Sequence, residues 1–519
     1  MQENERQRIL ALLASVPEEQ LPSYTPKLLD FTQDPFDGLR AFRCIGHLPG
    51  KTSREIKDSM LSIGFETMDR DTFEPADVIP LLGKTGVKYA RCQTGWIKSE
   101  KTEGVYEFGW LDSIVDGLLE NGIQPWLSVS FGNPLYTPND EFRALWEKYG
   151  EENKASIPGP ARGYIAEFPL YHGERAMAAF IRYAAALAEH FRGRVQVYEI
   201  WNEPEHFCNK NGEDYAAKFG AKQLAKDYTE FVRRVGAAIR EADPDAKIAA
   251  DSCGIGNSYI HELGKLGLAN DIDIYAYHYY GNCPEASSRY FLEQLRACLD
   301  RPGKKVALWQ GESGRASGNN TLVSMPTQYN QAKYLTRRVF LDASLGAELT
   351  SIFTASDFKN YYPDNSDQQY GLITVRGIKP KLAYYVMQGL GGLFEGLERD
   401  PTILATYGAP PRVFEDTVDY RYDMGAFRRK GVPLFAVWFG ANNDIPHAPR
   451  HGYLKLHTDA DNELRDPIVI DPIRKAVYAV DAKFPIVEEI RPALVIPHFP
   501  LVDYPLLVTD LSVFRDYLA

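Results

Sequence analysis

The stretch Val197-Tyr198-Glu199-Ile200-Trp201-Asn202-Glu203-Pro204 joins a short apolar run to an abrupt Asn-Glu-Pro end. The run is rich in β-branched and aromatic side chains, which predicts a buried β-strand. Pro204 has no N–H to donate to a neighbouring strand, so the strand is expected to stop there. Asn202 and Glu203 then follow the carboxyl end of a strand, which is where α/β barrels carry their chemistry. The alternative is a carboxylate that merely ends a strand at the surface.

Further runs of this kind alternate with helical patterns along the chain. The strand-like runs are 60–65, 87–92, 124–131, 195–201, 247–251, 272–278, 305–309 and 349–354. The helical patterns are 76–84, 110–120, 174–191, 222–241, 258–266, 286–299, 328–343 and 379–393. This alternation predicts an α/β fold, a (β/α)₈ TIM barrel. A doubly wound open sheet is the alternative, but the count of eight and the lack of a phosphate-binding loop favour the barrel.

The pattern changes after about residue 393, where short apolar runs are bounded by Gly, Pro, Asn and Asp. These runs are 416–422, 433–439, 453–456, 468–471, 476–480, 494–496 and 505–509. They predict a C-terminal β-sandwich. We therefore expect three parts: an irregular lead-in segment over 1–51, the barrel over 52–393 and the sandwich over 394–519. The lead-in is expected to begin a small helix near 9–14, and either leads into the barrel or lends a strand to the β-domain.

Composition excludes several classes of function. The 519 residues are 44% hydrophobic and 25% charged, as in ordinary globular proteins. A net charge of −12 argues against nucleic acid or an anionic membrane as the main partner. The six scattered cysteines are expected to be free thiols, and no secretory signal is visible, so we expect a cytoplasmic protein. A secreted form that had lost its signal would have the same sequence, and the oligomeric state, including a homo-oligomer, stays open.

A second carboxylate, Glu312, ends the strand-like run in Val306-Ala307-Leu308-Trp309-Gln310-Gly311-Glu312-Ser313-Gly314. The flanking glycines allow a tight turn that leaves the carboxylate accessible. Glu203 ends the fourth strand by count and Glu312 the seventh, so in a closed barrel they face each other across its mouth. Hydrolysis of a glycosidic bond requires such a pair of carboxyl groups on either side of the anomeric carbon.

Trp201-Asn202-Glu203-Pro204 together with a glutamate on strand seven resembles glycoside hydrolase clan A, the retaining (β/α)₈ glycosidases. The resemblance covers roughly 52–393 and is strongest to family 39 and similar exo-glycosidases. It depends further on the stretches 86–91, 100–108 and 132–136. It implies that Glu203 is the general acid/base, that Glu312 is the nucleophile, and that Asn202 binds the sugar 2-hydroxyl.

Two neighbouring side chains lie on the sixth strand, where alternation puts His278 and Tyr280 on one face. The resemblance implies that Tyr280 hydrogen-bonds the nucleophile, with His278 beside it; His278 is alternatively a core histidine. Arg91 is a polar residue inside the apolar second strand, and the resemblance implies that it supports Glu312 electrostatically. We expect this cation to keep Glu312 ionised, and burial to raise the pKa of Glu203.

Other polar and aromatic residues fall at or just past strand ends and are candidates for binding sugar hydroxyls or stacking on a ring. They are Glu66, Trp96, Asn133, Asp357 and Lys359, and each is alternatively a supporting or rim residue. The long loop from Gly132 to about His172 is rich in aromatics and is expected to form a pocket wall.

The sequence contains no complete metal-binding or cofactor motif, so no metal or organic cofactor is implied. The leading hypothesis is a retaining, exo-acting glycoside hydrolase that cleaves terminal glycosyl residues and whose partner is a carbohydrate. The alternatives are an endo-glycanase or a transglycosylase using the same two carboxylates, and a non-catalytic carbohydrate-binding barrel. The sequence does not identify the sugar or the linkage.

Overall fold

The protein is described by a computed structural model. It describes residues 1–22, 34–66, 68–150, 156–157, 161, 164, 166–253, 257–318, 327–408, 422–445, 447–458, 464–487 and 492–518. Within that part of the chain, no helix is long and apolar enough to cross a membrane.

A closed barrel of eight parallel strands forms the centre of the molecule. Barrel strands 1 to 8 are Leu61–Gly64, Tyr89–Gln93, Gln124–Val129, Val197–Ile200, Lys247–Ser252, Ile274–His278, Ala307–Ser313 and Leu349–Ile352. The helices that follow them in turn are Pro75–Leu82, Gly109–Glu120, Glu174–Phe191, Ala221–Ala242, Asn257–Lys265, Ser288–Leu299, Gln328–Leu345 and Leu382–Phe394. The predicted TIM barrel is confirmed, with each strand where the apolar pattern predicts it.

Large apolar side chains fill one level of the barrel's interior. Trp126, Val197, Ala249, Ile274 and Leu349 come from five different strands and form a buried cluster separate from the main core. Strands whose side chains alternate between two faces send every second residue inward, where bulky residues pack in layers. The polar residues of the site lie further along the same strands, towards their carboxyl ends.

Several short helices and strands lie in the connections between barrel elements. The helices are Trp96–Ser99, Asp140–Tyr149, Pro204–Phe207 and Tyr215–Phe219; the 3-10 helices are Met68–Arg70, Pro169–His172, Leu268–Asn270 and Pro284–Ala286. Asn209–Lys210 and Glu213–Asp214 form a two-stranded ribbon. These connections, and not the barrel itself, set the shape of the barrel mouth.

Two antiparallel sheets accompany the barrel, in agreement with the predicted β-sandwich. The larger has the order Phe42–His47, Ala476–Val480, Pro467–Asp471, Leu506–Asp510, Val432–Trp438, Asp423–Arg429 and Leu397–Arg399. The smaller has the order Leu404–Gly408, Arg450–His457, Pro492–Leu501 and Phe484–Val487. Most of the strand predicted over 416–422 lies outside the described residues.

The N-terminal segment contains more regular structure than its prolines suggest. A helix spans Glu3–Ala14, 3-10 turns follow at Glu18–Gln20, and Phe42–His47 is an edge strand of the larger sheet. Of the two uses considered for this segment, the structure shows the second, since it lends a strand to the sheet formed by C-terminal residues. The final described residues form the 3-10 helix Leu511–Tyr517.

Candidate active site

A cavity of about 530 Å³ opens at the carboxyl ends of the barrel strands. All eight strands or the loops directly after them contribute to its wall. The lining residues are Glu66, Arg70, Gln93, Phe131, Asn202, Glu203, His206, Phe207, Cys253, His278, Tyr279, Tyr280, Glu312, Phe353, Tyr361, Gln368 and Tyr370. Both predicted catalytic carboxylates therefore lie in the same pocket.

Glu203 lies at a sharp backbone corner directly after strand 4. Trp201 and Glu203 both have positive φ angles, 71° and 42°, which are costly for residues with a side chain. The Glu203 N–H donates to Asp251 Oδ2 at 3.1 Å, which holds the corner. Pro204 then begins a short helix, a position where its missing N–H costs nothing. The Asn-Glu-Pro sequence thus ends the strand as predicted and turns Glu203 into the pocket.

Glu312 is aimed by an irregularity within strand 7. The pairing register with strand 6 shifts between Gln310 and Glu312, because Gly311 is an extra residue there. A Cβ atom on Gly311 would lie only 3.0 Å from the His278 Nε2 atom, so a larger residue does not fit without displacement. The Tyr280 hydroxyl donates to Glu312 Oε1 at 2.7 Å, and Arg91 Nη1 donates to Oε2 at 3.0 Å.

The two carboxylates are close together, with His278 beside both. One oxygen of Glu203, one oxygen of Glu312 and one ring nitrogen of His278 all lie within 4.8 Å of one another. His278 Nδ1 is 2.9 Å from Glu203 Oε1 and 3.6 Å from Glu312 Oε2. This spacing places an anomeric carbon between the carboxylates within reach of both.

Arg91 is the fixed positive charge beneath the pocket, and its side chain is completely buried. Its guanidinium contacts Glu199 at 2.7 Å and Glu66 Oε1 at 3.0 Å, as well as Glu312. It also donates to the Asn202 Oδ1 atom at 2.7 Å. That bond uses the acceptor end of the Asn202 amide, which leaves the Nδ2 end as the donor for a ligand.

The charges in the pocket shift one another's pKa values. Burial would raise the pKa of Glu203, but the hydrogen bond and charge of His278 outweigh it and lower that pKa. The net rise expected for the pKa of Glu203 is therefore wrong, although burial acts in the expected direction. Burial alone would lower the pKa of His278, yet the carboxylates of Asp251 and Glu312 raise it well above its ordinary value. Burial, with a contribution from the charge of Glu312, raises the pKa of Glu66 to about 8.

Glu199 and Asp251 are buried supports that the sequence analysis missed. Both have fully buried side chains, and both lie near Arg91 and the His278 Nε2 atom. Glu199, Asp251 and His278 have a spacing at which a metal ion could be held, but the Arg91 guanidinium already neutralises this cluster. Glu199 is a polar residue inside an apolar strand, as Arg91 is, and this pattern could have identified it from the sequence.

Three predicted sugar-binding residues do not line this pocket. Trp96 is fully buried, stacks on Tyr136 with ring centroids 5.2 Å apart, and donates to Glu100. The Asn133 amide donates 2.7 Å to the Glu100 carbonyl, so it ties the loops together. Asp357 pairs with Lys381 at 2.6 Å. Each follows a strand as predicted, but internal partners take up its polar atoms. A fourth candidate, Lys359, is likewise not among the lining residues.

The long loop after strand 3, predicted to form a pocket wall, does not line this pocket. None of its described residues between Gly132 and His172 is among the lining residues; Phe131, just before them, is. Some of its aromatics pack against buried rings, such as Phe168 on Phe231 with centroids 4.5 Å apart, whereas Trp146 and Tyr164 line a neighbouring cavity. The wall is built from the loop after strand 8, through Tyr361, Gln368 and Tyr370. Arg70, Gln93 and His206 are further lining residues that the sequence analysis did not single out.

An eight-stranded barrel with paired glutamates at the ends of strands 4 and 7 is the architecture of the clan A glycoside hydrolases, and comparison with known proteins agrees. The family model Glyco_hydro_42, described as Beta-galactosidase, matches residues 65–230. The curated Beta-galactosidase BbgII of Bifidobacterium bifidum is 29% identical over 142 residues, which are 27% of this chain and 19% of that protein. The chain thus aligns with only a minor part of that relative's length.

Solved structures share the fold at low sequence identity. A family 39 glycoside hydrolase from Bacteroides cellulosilyticus WH2 is similar over 90% of this chain and 83% of its own, with a TM-score of 0.60 and 17% identity. A monomeric beta-xylosidase from Caulobacter crescentus CB15 is similar over 89% and 97%, with a TM-score of 0.50 and 16% identity. These structural likenesses show the fold, and the matched family model and curated relative are consistent with the resemblance to clan A glycosidases of the family 39 type.

Proposed function

We propose that this protein is a retaining, exo-acting glycoside hydrolase that removes terminal glycosyl residues from oligosaccharides, polysaccharides or simple glycosides. The observation that carries the proposal is the spacing of Glu203 and Glu312, which have carboxylate oxygens within 4.8 Å of each other. Retaining glycosidases hold their carboxyl groups about 5–5.5 Å apart, whereas inverting enzymes need about 6.5–9.5 Å to admit a water molecule.

Glu312 is the nucleophile in this mechanism. Its carboxylate forms a bond to the anomeric carbon while the bond from that carbon to the leaving oxygen breaks. The hydrogen bonds from Tyr280 and Arg91 orient the carboxylate and stabilise its charge before attack. Asn202, fixed by Arg91, presents its amide N–H to the sugar's 2-hydroxyl.

Glu203 transfers the proton in both steps, together with His278. The 2.9 Å contact between His278 Nδ1 and Glu203 Oε1 lets the two groups share one proton. In the first step Glu203 gives a proton to the leaving oxygen, and His278 can then supply a new proton to Glu203. In the second step Glu203 takes a proton from the water that attacks the glycosyl–Glu312 ester, which restores the free carboxylate of Glu312.

Exo action is supported by the shape of the pocket, which side chains enclose on the side of strands 1 and 2. Arg70 and Gln93 line it there. A β-glycoside is the favoured substrate class because the relatives carry the names beta-galactosidase and beta-xylosidase. Aryl β-galactosides, aryl β-xylosides and α-L-arabinosides are therefore the first substrates to test.

The test replaces the two glutamates separately and follows the product by NMR. We expect Glu312→Gly to abolish turnover of an aryl glycoside, and Glu203→Ala to be rescued by azide, which needs no general base. Glu348→Gln, on an exposed glutamate, is the matched control and should behave like the wild type. Near-normal turnover by Glu312→Gly would overturn the assignment. A product of inverted anomeric configuration would overturn the retaining mechanism alone, and product transfer to added sugar would indicate a transglycosylase.

A further inference from the structure

A second cavity, of about 420 Å³, lies beside the active-site pocket at the loops after strands 1 to 3. Among the residues that the structure describes, Arg70 alone lines both cavities. Its side chain therefore stands between them, with the catalytic carboxylates on one side. The mechanism described above makes no use of Arg70 or of the second cavity.

Arg70 is held firmly in that position, since its residue is only 4% exposed. Its Nε atom lies 3.2 Å from Asp69 Oδ1, and its Nη2 atom donates to Gln93 Oε1. Its Nη1 atom is 3.5 Å from the Tyr361 hydroxyl, and the guanidinium lies 5.8 Å from the Phe131 ring centroid. These partners come from elements after four different strands, so Arg70 is a rigid wall and not a mobile surface side chain.

The second cavity has the mixed chemistry that suits a sugar ring. Trp146, Leu135 and Pro138 supply apolar faces. Asp69 lines the same cavity, and its buried Oδ2 atom has no hydrogen-bond partner among the described residues. The Asp69 side chain is completely buried against Arg70, so removing the Arg70 side chain would expose this oxygen to a sugar hydroxyl, which is a donor that it lacks.

The position of the second cavity fits the non-reducing side of a substrate. Glu203 protonates the leaving oxygen, so the leaving group lies on the side of strands 4 and 5, where His206 and Cys253 line the pocket. The glycone extends the other way, towards Glu66 and Gln93 on strands 1 and 2. The next sugar of a longer glycone would meet Arg70.

We propose that Arg70 limits the glycone to one sugar unit, and that the cavity behind it is a closed subsite for a second unit. This inference rests on the proposed exo-glycosidase function. Removing the Arg70 side chain joins the two cavities and allows the enzyme to release a disaccharide. Arg70 is thus a specificity-determining residue, while Glu203 and Glu312 carry out the same two steps.

The test uses aryl monoglycosides and aryl diglycosides of the sugar that the wild type accepts, with chromatography of the sugars released. The wild type should release only monosaccharide. Arg70→Ser should release intact disaccharide, with the ratio of kcat/KM for diglycoside to monoglycoside raised at least about tenfold, as expected for one added sugar contact. The double variant Asp69→Asn/Arg70→Ser should also release intact disaccharide. Because it removes the buried Asp69 charge together with its Arg70 partner, it tests the proposal even if Arg70→Ser fails to fold.

Two further variants test whether disaccharide release depends on the second cavity. Arg70→Lys keeps a long cationic side chain in place and should retain the preference for monoglycosides. Leu135→Trp, added to Arg70→Ser, should fill the second cavity and reverse the gain. The inference would be overturned if the wild type released disaccharide. It would also be overturned if the Arg70→Ser variants cleaved monoglycosides but released no disaccharide. A wild type that cleaves no glycoside would instead overturn the proposed function.

Discussion

His278 Nδ1 lies 2.9 Å from the Oε1 atom of Glu203, and this contact lowers the pKa of the Glu203 carboxyl, which burial alone would raise. His278 is itself wholly buried and lies among carboxylates that hold its proton. The group proposed as the acid/base is therefore a hydrogen-bonded pair, and we expect the two residues to share one proton. This arrangement leads to the first prediction.

Replacing His278 by Asn should raise the pKa of Glu203. The substitution removes the hydrogen bond and the positive charge that lower this pKa, and leaves the burial that raises it. The pKa should then lie above the ordinary value of 4.5. Difference infrared titration of the carboxyl band measures it, with Glu203→Gln to assign the band. His190→Asn, on an exposed histidine, is the control; a Glu203 pKa unchanged by His278→Asn would contradict the prediction.

Tyr280→Phe should slow the reaction without unfolding the protein. Its hydroxyl donates 2.7 Å to Glu312 Oε1, and the ring is partly exposed at the pocket wall. Losing a hydrogen bond to a charged group should lower kcat/KM roughly 10- to 100-fold. Steady-state kinetics on an aryl glycoside measure the loss. Tyr453→Phe, on an exposed tyrosine of the smaller sheet, should have no effect, and equal rates for the two variants would refute the role given to Tyr280.

The barrel and its two glutamates could be predicted because both follow from local sequence. Apolar runs with helical patterns between them define strands and helices, and Pro204 ends strand 4 whatever packs around it. Alternation along strand 6 placed His278 and Tyr280 on one face, while the roles expected of Asn202 and Tyr280 came from the resemblance to clan A. Geometry near a strand end is set mainly by the strand, so the sequence is sufficient there.

The walls of the pocket could not be predicted, because they depend on how loops pack. Trp96 and Asn133 follow strands as binding residues would. Yet Tyr136 of the loop after strand 3 stacks on Trp96, and both residues donate to Glu100 of the loop after strand 2. Arg70 lies on a 3-10 turn with no distinguishing motif, and its position is set by partners from elsewhere in the chain. The register shift at Gly311 is visible only once strands 6 and 7 are paired.

Arg91→Lys should cost both stability and activity. Arg91 contacts Glu66, Glu199, Glu312 and Asn202 through its planar fork, and a lysine ammonium cannot satisfy all of them. Breaking this buried network should lower the free energy of unfolding by on the order of 3 kcal/mol.

Activity should fall as well, because Glu312 loses an oriented donor. We expect kcat to drop by roughly 10²-fold. Urea unfolding and aryl-glycoside kinetics measure the two effects. Arg192→Lys, on an exposed arginine whose partner Asp243 is 3.8 Å away, should cost at most about 1 kcal/mol. If Arg91→Lys proved as mild as this control, the central role of Arg91 would be wrong.

Glu66→Gln should change how stability depends on pH. Burial raises the pKa of Glu66 to about 8 from 4.5, so the folded protein keeps a proton that the unfolded chain loses. The resulting stabilisation is complete below pH 4.5 and is lost as pH rises towards 8, by about 1.4 kcal/mol per pH unit.

A glutamine at this position has no proton to lose, so the variant should lack this slope. The unfolding free energy of the wild type minus that of Glu66→Gln should fall steadily from about pH 5 to about pH 8 and then level off. Urea unfolding across this range measures the difference, and Glu103→Gln, on an exposed side chain, should give no slope. Parallel curves for the wild type and Glu66→Gln would contradict the prediction. They would mean that Glu66 is ionised at neutral pH, and that Arg91 pairs with the carboxylates of both Glu66 and Glu312 at the mouth of the barrel.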